Sequence, residues 1–192
     1  MRTLSITSLL ALTFFALGCL RPASEGASKR PPEPTLAEQA QAVRDGESNQ
    51  LRLDHTLVRD QDLRQLGGLE AKLLRINFSK TQITDQGLKE LSRVQSLEQL
   101  RLASPKITDD GLGALEDLAQ LRFLHLLDMP ISDAGLAHLH GLKKLESLYI
   151  DGTGVTDAGI EQLVKQLPNV HLHIDDHHHP LDPHGADHKH SQ

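Results

Sequence analysis

The sequence predicts an α/β solenoid, in which short strands and helices alternate along a repeating chain. The first observation is an exact period of 24 residues: the phrase at 83–88 (ITDQGL) returns at 107–112 (ITDDGL), 131–136 (ISDAGL) and 155–160 (VTDAGI). The second is that the apolar spacing inside each period changes from two residues to three. Such a unit cannot bury its apolar face alone, so several must stack into one continuous core.

Each unit is predicted to run as strand, turn, helix and turn. Ile76 and Phe78 alternate with polar residues, as on a strand with one buried face. Leu88, Leu91 and Val94 then follow at intervals of three, as on one face of a helix or a 3₁₀ turn. The same positions are apolar in three later units and, less regularly, in one earlier unit.

The pattern L-x-x-L-x-L-x-x-T-x-I-T-D-x-G-L-x-x-L resembles the leucine-rich repeat, in particular the I-T-D-x-G-L subclass of F-box-type and many bacterial proteins. The resemblance covers about five units, over residues 50–174. It implies a leucine-rich repeat solenoid that forms a short horseshoe arc, with parallel strands on the concave face and helices on the convex face. It also implies binding of a protein or another ligand, without catalytic chemistry.

One carboxylate recurs in every unit, at Asp60, Asp85, Asp109, Asp133 and Asp157. A metal ladder is one interpretation of this row. The other is helix entry, because a Thr or Ser in a favoured N-cap position precedes the later four, and the helix dipole favours an acid in the first turn. A residue needed once per repeat is needed by the repeat, so we predict a structural role. We predict the same for the glycine two residues later, which Asp62 replaces in the first unit.

Function is expected at the strand positions that vary between units and face outward between buried neighbours. The candidate ligand-binding residues of the concave face are Arg52, Asn77, Lys80, Arg101, His125, Asp128, Tyr149 and Asp151. Arginine and tyrosine are enriched at binding hot spots. The alternative is that these positions vary because nothing selects them. An enzyme built on the last four polar side chains is a weaker hypothesis, since no nucleophile or metal motif supports it, and we predict no catalytic residues.

Residues 1–18 are expected to form a signal peptide. A basic residue precedes an apolar stretch at 4–17, which is short for a membrane span, and a small residue precedes Cys19. The tetrapeptide at 16–19 resembles a bacterial lipobox with its first two residues exchanged in size. The resemblance implies that Cys19 is lipidated, in an exported lipoprotein of the outer membrane or cell surface. Because the chain is acidic, we expect it to contact the membrane through this lipid only. The alternative is a soluble periplasmic or secreted protein.

Two segments are expected to join the signal to the repeats. Residues 19–34 are rich in Pro, Ser, Ala and charge, which is typical of a flexible tether. Residues 35–49 are predicted to form an N-terminal capping helix, because Thr35 and Glu38 fit a capping box and terminal repeats need a polar cover.

The last segment, 175–192, is predicted to be a disordered His-rich tail. Its candidate metal ligands are His177, His178, His179, His184, His188 and His190. Imidazole suits zinc, copper and nickel, yet nothing in the spacing fixes a coordination geometry. We therefore expect no dedicated cofactor. A metal-binding lipoprotein that uses this tail is the alternative function, and a merely polar, pH-sensitive end is the other interpretation.

Composition excludes several classes of partner. The chain carries a formal net charge of −6, and only 3% of its residues are aromatic. Nucleic-acid binding needs a basic footprint and usually stacking platforms, so we predict no nucleic acid. The acidic balance also disfavours electrostatic binding to anionic lipid. A protein or a cell-envelope ligand remains the expected partner.

Overall fold

The computed structural model describes residues 33–54 and 57–174, and the backbone alone of 177–178. The predicted signal peptide, Cys19 and nearly all of the predicted tether lie outside this part. So do the candidate metal ligands His179, His184, His188 and His190.

Strands and helices alternate along the repeats, as the spacing predicts. The strands are β1 (Gln50–Arg52), β2 (Arg75–Ser79), β3 (Gln99–Ala103), β4 (Phe123–Leu127), β5 (Ser147–Asp151), β6 (His171–Ile174) and β7 (His177–His178). The α-helices are α1 (Leu36–Arg44), α2 (Asp85–Leu91), α3 (Asp109–Leu112), α4 (Asp133–Ala137) and α5 (Asp157–Gln166). The described residues also form two 3₁₀ helices, at Asp60–Leu66 and Gly113–Leu115.

In the part of the chain that the structure describes, one open sheet contains β1 to β7 in chain order. β1 to β6 are parallel, and each is joined to the next through a helix, while β7 pairs antiparallel with β6. Parallel neighbours linked through helices form a coil that advances by one strand per unit. This arrangement confirms the predicted α/β solenoid.

The core lies between the sheet and the helices. The first inward strand position places one residue opposite the next through all six parallel strands: Leu51, Ile76, Leu100, Leu124, Leu148 and Leu172. All six are at most 2% exposed, and complete burial of such a side chain contributes about 1.5–3 kcal/mol. The predicted core positions are confirmed, except that Val155 and Ile174 are only partly buried.

The recurring aspartates join neighbouring units. Each carboxylate accepts two hydrogen bonds from the Thr or Ser that begins the next helix: the backbone N–H donates to Oδ1 at 2.7–2.9 Å and the hydroxyl donates to Oδ2 at 2.6–2.8 Å. We call this arrangement the clasp. Its pairs are Asp60–Thr84, Asp85–Thr108, Asp109–Ser132 and Asp133–Thr156. These bonds hold the pKa of the Asp133 carboxyl below its usual value.

The clasp also explains the recurring glycine. A Cβ added at Gly87, Gly111, Gly135 or Gly159 would lie 2.1–2.5 Å from the carboxylate oxygen of the preceding unit. The glycine is therefore required for close approach between coils. Among the described residues no clasp precedes the first unit, which explains why Asp62 is tolerated at this position. That unit contains the 3₁₀ helix at Asp60–Leu66 in place of an α-helix.

The two ends of the sheet are covered by different devices. At the first edge, α1 begins with the predicted Thr35–Glu38 capping box and packs against β1. The side-chain amide of Gln39 binds the backbone of Arg52 twice, accepting from its N–H and donating to its carbonyl, both at 2.7 Å. Gln39 thus replaces a missing neighbouring strand. At the other edge, β7 pairs with β6.

Candidate functional site

The outward positions of the six parallel strands form a continuous row, which we call the central row. Its members are Arg52, Asn77, Arg101, His125, Tyr149 and His173, each a register partner of the next. Five of the predicted ligand-binding residues therefore lie in adjacent strands on the concave face. Asp151 ends β5, two residues beyond Tyr149 on the same face.

A second row lies two residues earlier on the same strands, and it was not predicted from the sequence. This leading row contains Gln50, Arg75, Gln99, Phe123, Ser147 and His171. All of them are at least partly exposed. The residue just before the first apolar residue of each unit lies on the outward face of the strand, so extending the alternation by one residue predicts this row.

The first three strands share a shallow basic hollow of about 360 Å³. Its charged lining comprises Arg52, Arg75, Arg101 and one acid, Asp54, and we call it the arginine hollow. Asn77 lies at its centre, with Arg52 and Arg101 as its register partners on either side. The Nε–H of Arg101 donates to Ser79 Oγ at 3.1 Å, and Ser79 in turn donates to Asn77 Oδ1 at 2.7 Å. These bonds orient one guanidinium group over the sheet.

The last three strands carry a stack of three rings. The ring centroid of Tyr149 lies 4.2 Å from that of His125 and 4.1 Å from that of His173, with interplanar angles of 2° and 6°. Parallel strands repeat at about 4.8 Å, so identical positions bring flat side chains into contact face to face. Both faces of Tyr149 are therefore covered, and this ring stack presents its edges to the concave surface.

The environment of His125 favours the neutral imidazole. Burial, followed by the positive charge of Arg101, lowers the pKa of His125 to about 4, and the nearby Asp151 only partly opposes this. At neutral pH the ring therefore carries one N–H donor and one nitrogen acceptor. The half-buried His125 can hydrogen-bond a ligand without adding charge to this end of the face.

Two predicted ligand-binding residues, Lys80 and Asp128, lie beyond the strand ends, away from the central row. Both have left-handed backbones, with φ of 57° and 51°. The Lys80 N–H donates to the Ala103 carbonyl and the Asp128 N–H to the Asp151 carbonyl, each at 2.9 Å. Each therefore continues the sheet hydrogen bonding around a tight turn. Gly152 has the same left-handed backbone, with φ of 61°.

Charged pairs also join neighbouring units outside the two rows. Arg122 donates to both carboxylate oxygens of Glu146, at 2.8 and 2.9 Å, and its guanidinium lies over the Phe123 ring. Hydrogen bonding to Glu146 raises the pKa of Arg122, and the same bonds lower that of Glu146. His138 contacts Glu116 across the preceding unit boundary. These contacts have an evident structural role.

Within residues 33–54 and 57–174, no group of three or more His, Cys, Asp or Glu side chains is arranged to hold a metal ion. In the same part of the chain, no helix has the length and apolarity needed to cross a bilayer. Four of the five recurring aspartates, for which we predict a structural role, are clasp residues: Asp60, Asp85, Asp109 and Asp133.

Comparison with known proteins agrees with this geometry. A leucine-rich repeat family model matches residues 71–92, which include β2 and α2. Internalin C2 from Listeria monocytogenes is similar in structure, with a TM-score of 0.51 and 21% identity over 77% of this chain and 70% of that chain. The fold is that of a leucine-rich repeat solenoid.

Two further solved structures resemble this leucine-rich repeat solenoid. A leucine-rich repeat protein from Leptospira interrogans has a TM-score of 0.53 and 19% identity over 72% of this chain and 33% of that chain. An internalin, InlF, from Listeria monocytogenes has a TM-score of 0.48 and 22% identity over 74% of this chain. This chain spans 46% of that internalin. No curated protein matches in sequence.

The fold has a general functional meaning. Stacked repeats create extended concave surfaces, and leucine-rich repeats commonly use them to bind proteins. Such domains are typically binding modules. The two rows of the concave face are therefore the candidate site.

Proposed function

We propose that this chain is a binding module that engages a protein ligand through the concave face. One observation carries the proposal: the central row is continuous across six strands, yet its chemistry changes from arginine and amide side chains to stacked rings. Stacking of the units does not require this change, because the buried row beneath it stays aliphatic throughout. Six strands span about 25 Å, which suits a patch of standard interface size.

A random peptide library displayed on phage tests this proposal. We would select binders on the unmodified chain and measure each against Arg101→Ala and Tyr149→Ala. Arg64→Ala and His140→Ala are matched controls, since they remove an arginine and an imidazole outside the strands. We expect the concave variants to weaken binding about tenfold or more and the controls to leave it unchanged. Binders that respond equally to both pairs would contradict the proposal.

We further propose export and lipid attachment through Cys19, in an outer-membrane or cell-surface location. The lipobox-like tetrapeptide at 16–19 supports this, and the chain offers no second cysteine to pair with an exported thiol. The test is the intact mass of membrane-extracted protein from the native host, beside a Cys19→Ser variant. A chain that begins at Cys19 with added acyl mass, lost in the variant, is expected. An unacylated chain cut elsewhere would make it a soluble exported protein.

A metal-binding tail is the second candidate function. One observation favours it: the backbone of β7 brings His178 into register with His173 at the end of the central row. Zinc titration of the full chain and of a chain ending at 174 tests it. Several ions bound by the full chain and none by the shortened chain would support the tail. Equal binding by both would remove it.

A further inference from the structure

We infer that the concave face selects an acidic, extended segment of a partner protein, with carboxylates over the arginine hollow and uncharged residues over the ring stack. This inference rests on the proposed function and adds the chemistry of the partner. Its basis is the charge of the hollow, the donors that its arginines present, and the covered faces of the rings.

The arginine hollow is positively charged, whereas the chain as a whole is acidic. Three arginines and one aspartate provide its charged groups, whereas the whole chain has a formal net charge of −6. Arg52, Arg75 and Arg101 are all exposed and come from three successive strands. Like charges at such short spacing repel one another, so a ligand that brings negative charge is favoured there.

The geometry of the hollow suits carboxylates on an extended chain. Arg52 and Arg101 lie on either side of Asn77, two strand spacings or about 10 Å apart. An extended peptide rises about 3.3 Å per residue and alternate side chains share one face, so carboxylates two residues apart lie about 7 Å apart and the long, exposed side chains of both arginines can reach them. Guanidinium groups bind carboxylates through paired hydrogen bonds, which gives direction as well as attraction. Arg101 is already oriented by Ser79.

The ring stack favours a peptide over a nucleic acid. Bases stack on exposed aromatic faces, but both faces of Tyr149 are covered by His125 and His173. The edges of these rings carry a hydroxyl and imidazole nitrogens, which can pair with peptide N–H and C=O groups. His125 remains neutral above its lowered pKa of about 4, and Asp151 beside it repels carboxylates. An acidic segment is thus directed toward the first three strands.

Synthetic peptides of about eight residues test this inference, since that length spans the six strands. The acidic probe alternates Asp and Glu with Ser, and its partner has every acid replaced by the corresponding amide. A lysine version and a single-stranded oligonucleotide complete the set. Each is labelled with a fluorophore and titrated by anisotropy against the full mature chain, at low and at physiological salt.

We expect the acidic peptide to bind about tenfold or more tightly than the amide peptide, with an advantage that shrinks as salt rises. Arg101→Glu and Arg75→Glu should each remove this advantage. Arg64→Glu, on the 3₁₀ helix of the first unit, makes the same charge change outside the concave face and should retain it. Thermal melting of each variant verifies that the fold is intact.

The other outcomes separate this inference from the proposed function. If the amide peptide binds as tightly and depends on Tyr149, the concave face binds peptides and the acidic preference is wrong. If the oligonucleotide binds as tightly as the acidic peptide at physiological salt, the peptide class is wrong. If selected phage binders ignore the concave variants, the proposed function fails as well.

Discussion

The clasps and the concave face follow opposite rules within the same 24-residue period. In each of four clasps the same carboxylate, hydroxyl and glycine recur, and the Oδ1 distances agree between 2.7 and 2.9 Å. In the central row no two neighbouring strands carry the same amino acid. A residue that touches the next unit is constrained by stacking, whereas an outward strand residue is not.

Variation alone does not identify a binding residue, and the concave face shows why. Lys80 and Asp128 vary between units, yet their left-handed backbones serve the turns that follow β2 and β4. Ser104 occupies the equivalent position after β3, where it is fully buried and donates to the Ile83 carbonyl at 2.7 Å. The central and leading rows have no such role in a turn and remain the candidate site, while ligand binding by Lys80 and Asp128 stays a prediction.

The largest expected effect tests the division between inward and outward strand residues. Leu126 is fully buried in β4, whereas its neighbour Leu127 is half-buried on the concave side. We expect Leu126→Ala to lower the free energy of unfolding by about 2–5 kcal/mol, because it removes core contacts and leaves a cavity. Urea unfolding followed by circular dichroism measures this.

Leu127→Ala is the matched control and should cost less than about 1 kcal/mol. Similar losses of unfolding free energy in the two variants would mean that Leu126 and Leu127 are equally buried. That result would contradict the inward and outward assignment on which both rows depend.

The clasp provides the next largest effect. A Cβ at Gly135 would lie 2.5 Å from Asp109 Oδ1, so Gly135→Ala should cost about 1–3 kcal/mol through forced displacement. Gly113→Ala is the control, because its Cβ would meet only the His138 ring, at 3.5 Å. We expect that control to be neutral or slightly stabilising, since alanine favours helix.

A double-mutant cycle shows whether the clasp acts as one unit. Asp109→Ala removes two hydrogen bonds to Ser132 and should cost about 1–3 kcal/mol. It also vacates the space that the added methyl group of Gly135→Ala would need. The two losses should therefore not add, with a coupling energy of at least about 0.5 kcal/mol. Strict additivity of the two losses would mean that Gly135 is required for a reason other than its contact with the Asp109 carboxylate.

The sequence was sufficient for the elements and for the faces of the strands. An exact period, combined with spacings of two and three, decides which residues point inward, and the buried Leu100 and Leu112 follow from it directly. It was also sufficient to prefer a structural role for the recurring Asp85. The period predicts whether a side chain points into the core or outward, because side-chain direction follows from the local backbone conformation.

Contacts between units were beyond the sequence. The partner of Asp85 is Thr108, 23 residues away, and nothing local distinguishes that bond from a simple N-cap. The amide of Gln39 finds the edge of β1 only through the packing of α1. The left-handed φ of Lys80 is unusual for its residue type. The leading row lies one residue before the first apolar residue of each unit, outside the pattern that defines the repeat.

A pH measurement sharpens the contrast between His125 and the rest of the chain. Burial lowers its folded pKa from 6.5 to about 4. As pH falls below 6.5 the unfolded chain takes up this proton and the folded chain does not, so stability declines down to about pH 4. Solvent reaches the half-buried ring, so we expect a loss of only about 1 kcal/mol.

His125→Gln should remove that part of the decline when thermal melting is followed from pH 7 to pH 4. Titrating carboxylates contribute equally to both proteins and cancel in the difference. His140→Gln is the comparison. Burial and then the charge of Lys143 lower the pKa of His140, but less than the pKa of His125 is lowered, so this variant should flatten the pH profile of stability less. Identical profiles for the unmodified chain and His125→Gln would show that the ring is well hydrated.

The smallest expected effect decides whether Lys80 belongs to the turn or to the ligand. Left-handed backbone costs a residue with a side chain about 1–2 kcal/mol, so Lys80→Gly should relieve strain. The greater freedom of glycine in the unfolded chain offsets about half of this, which leaves a gain of about 0.5 kcal/mol. Lys106→Gly, at an exposed turn residue without a left-handed backbone, should instead lose about 0.5–1 kcal/mol.

If Lys80→Gly stabilises the fold and leaves binding of the acidic peptide unchanged, Lys80 serves the turn. A stabilised variant that binds the peptide more weakly would extend the arginine hollow beyond the strand ends.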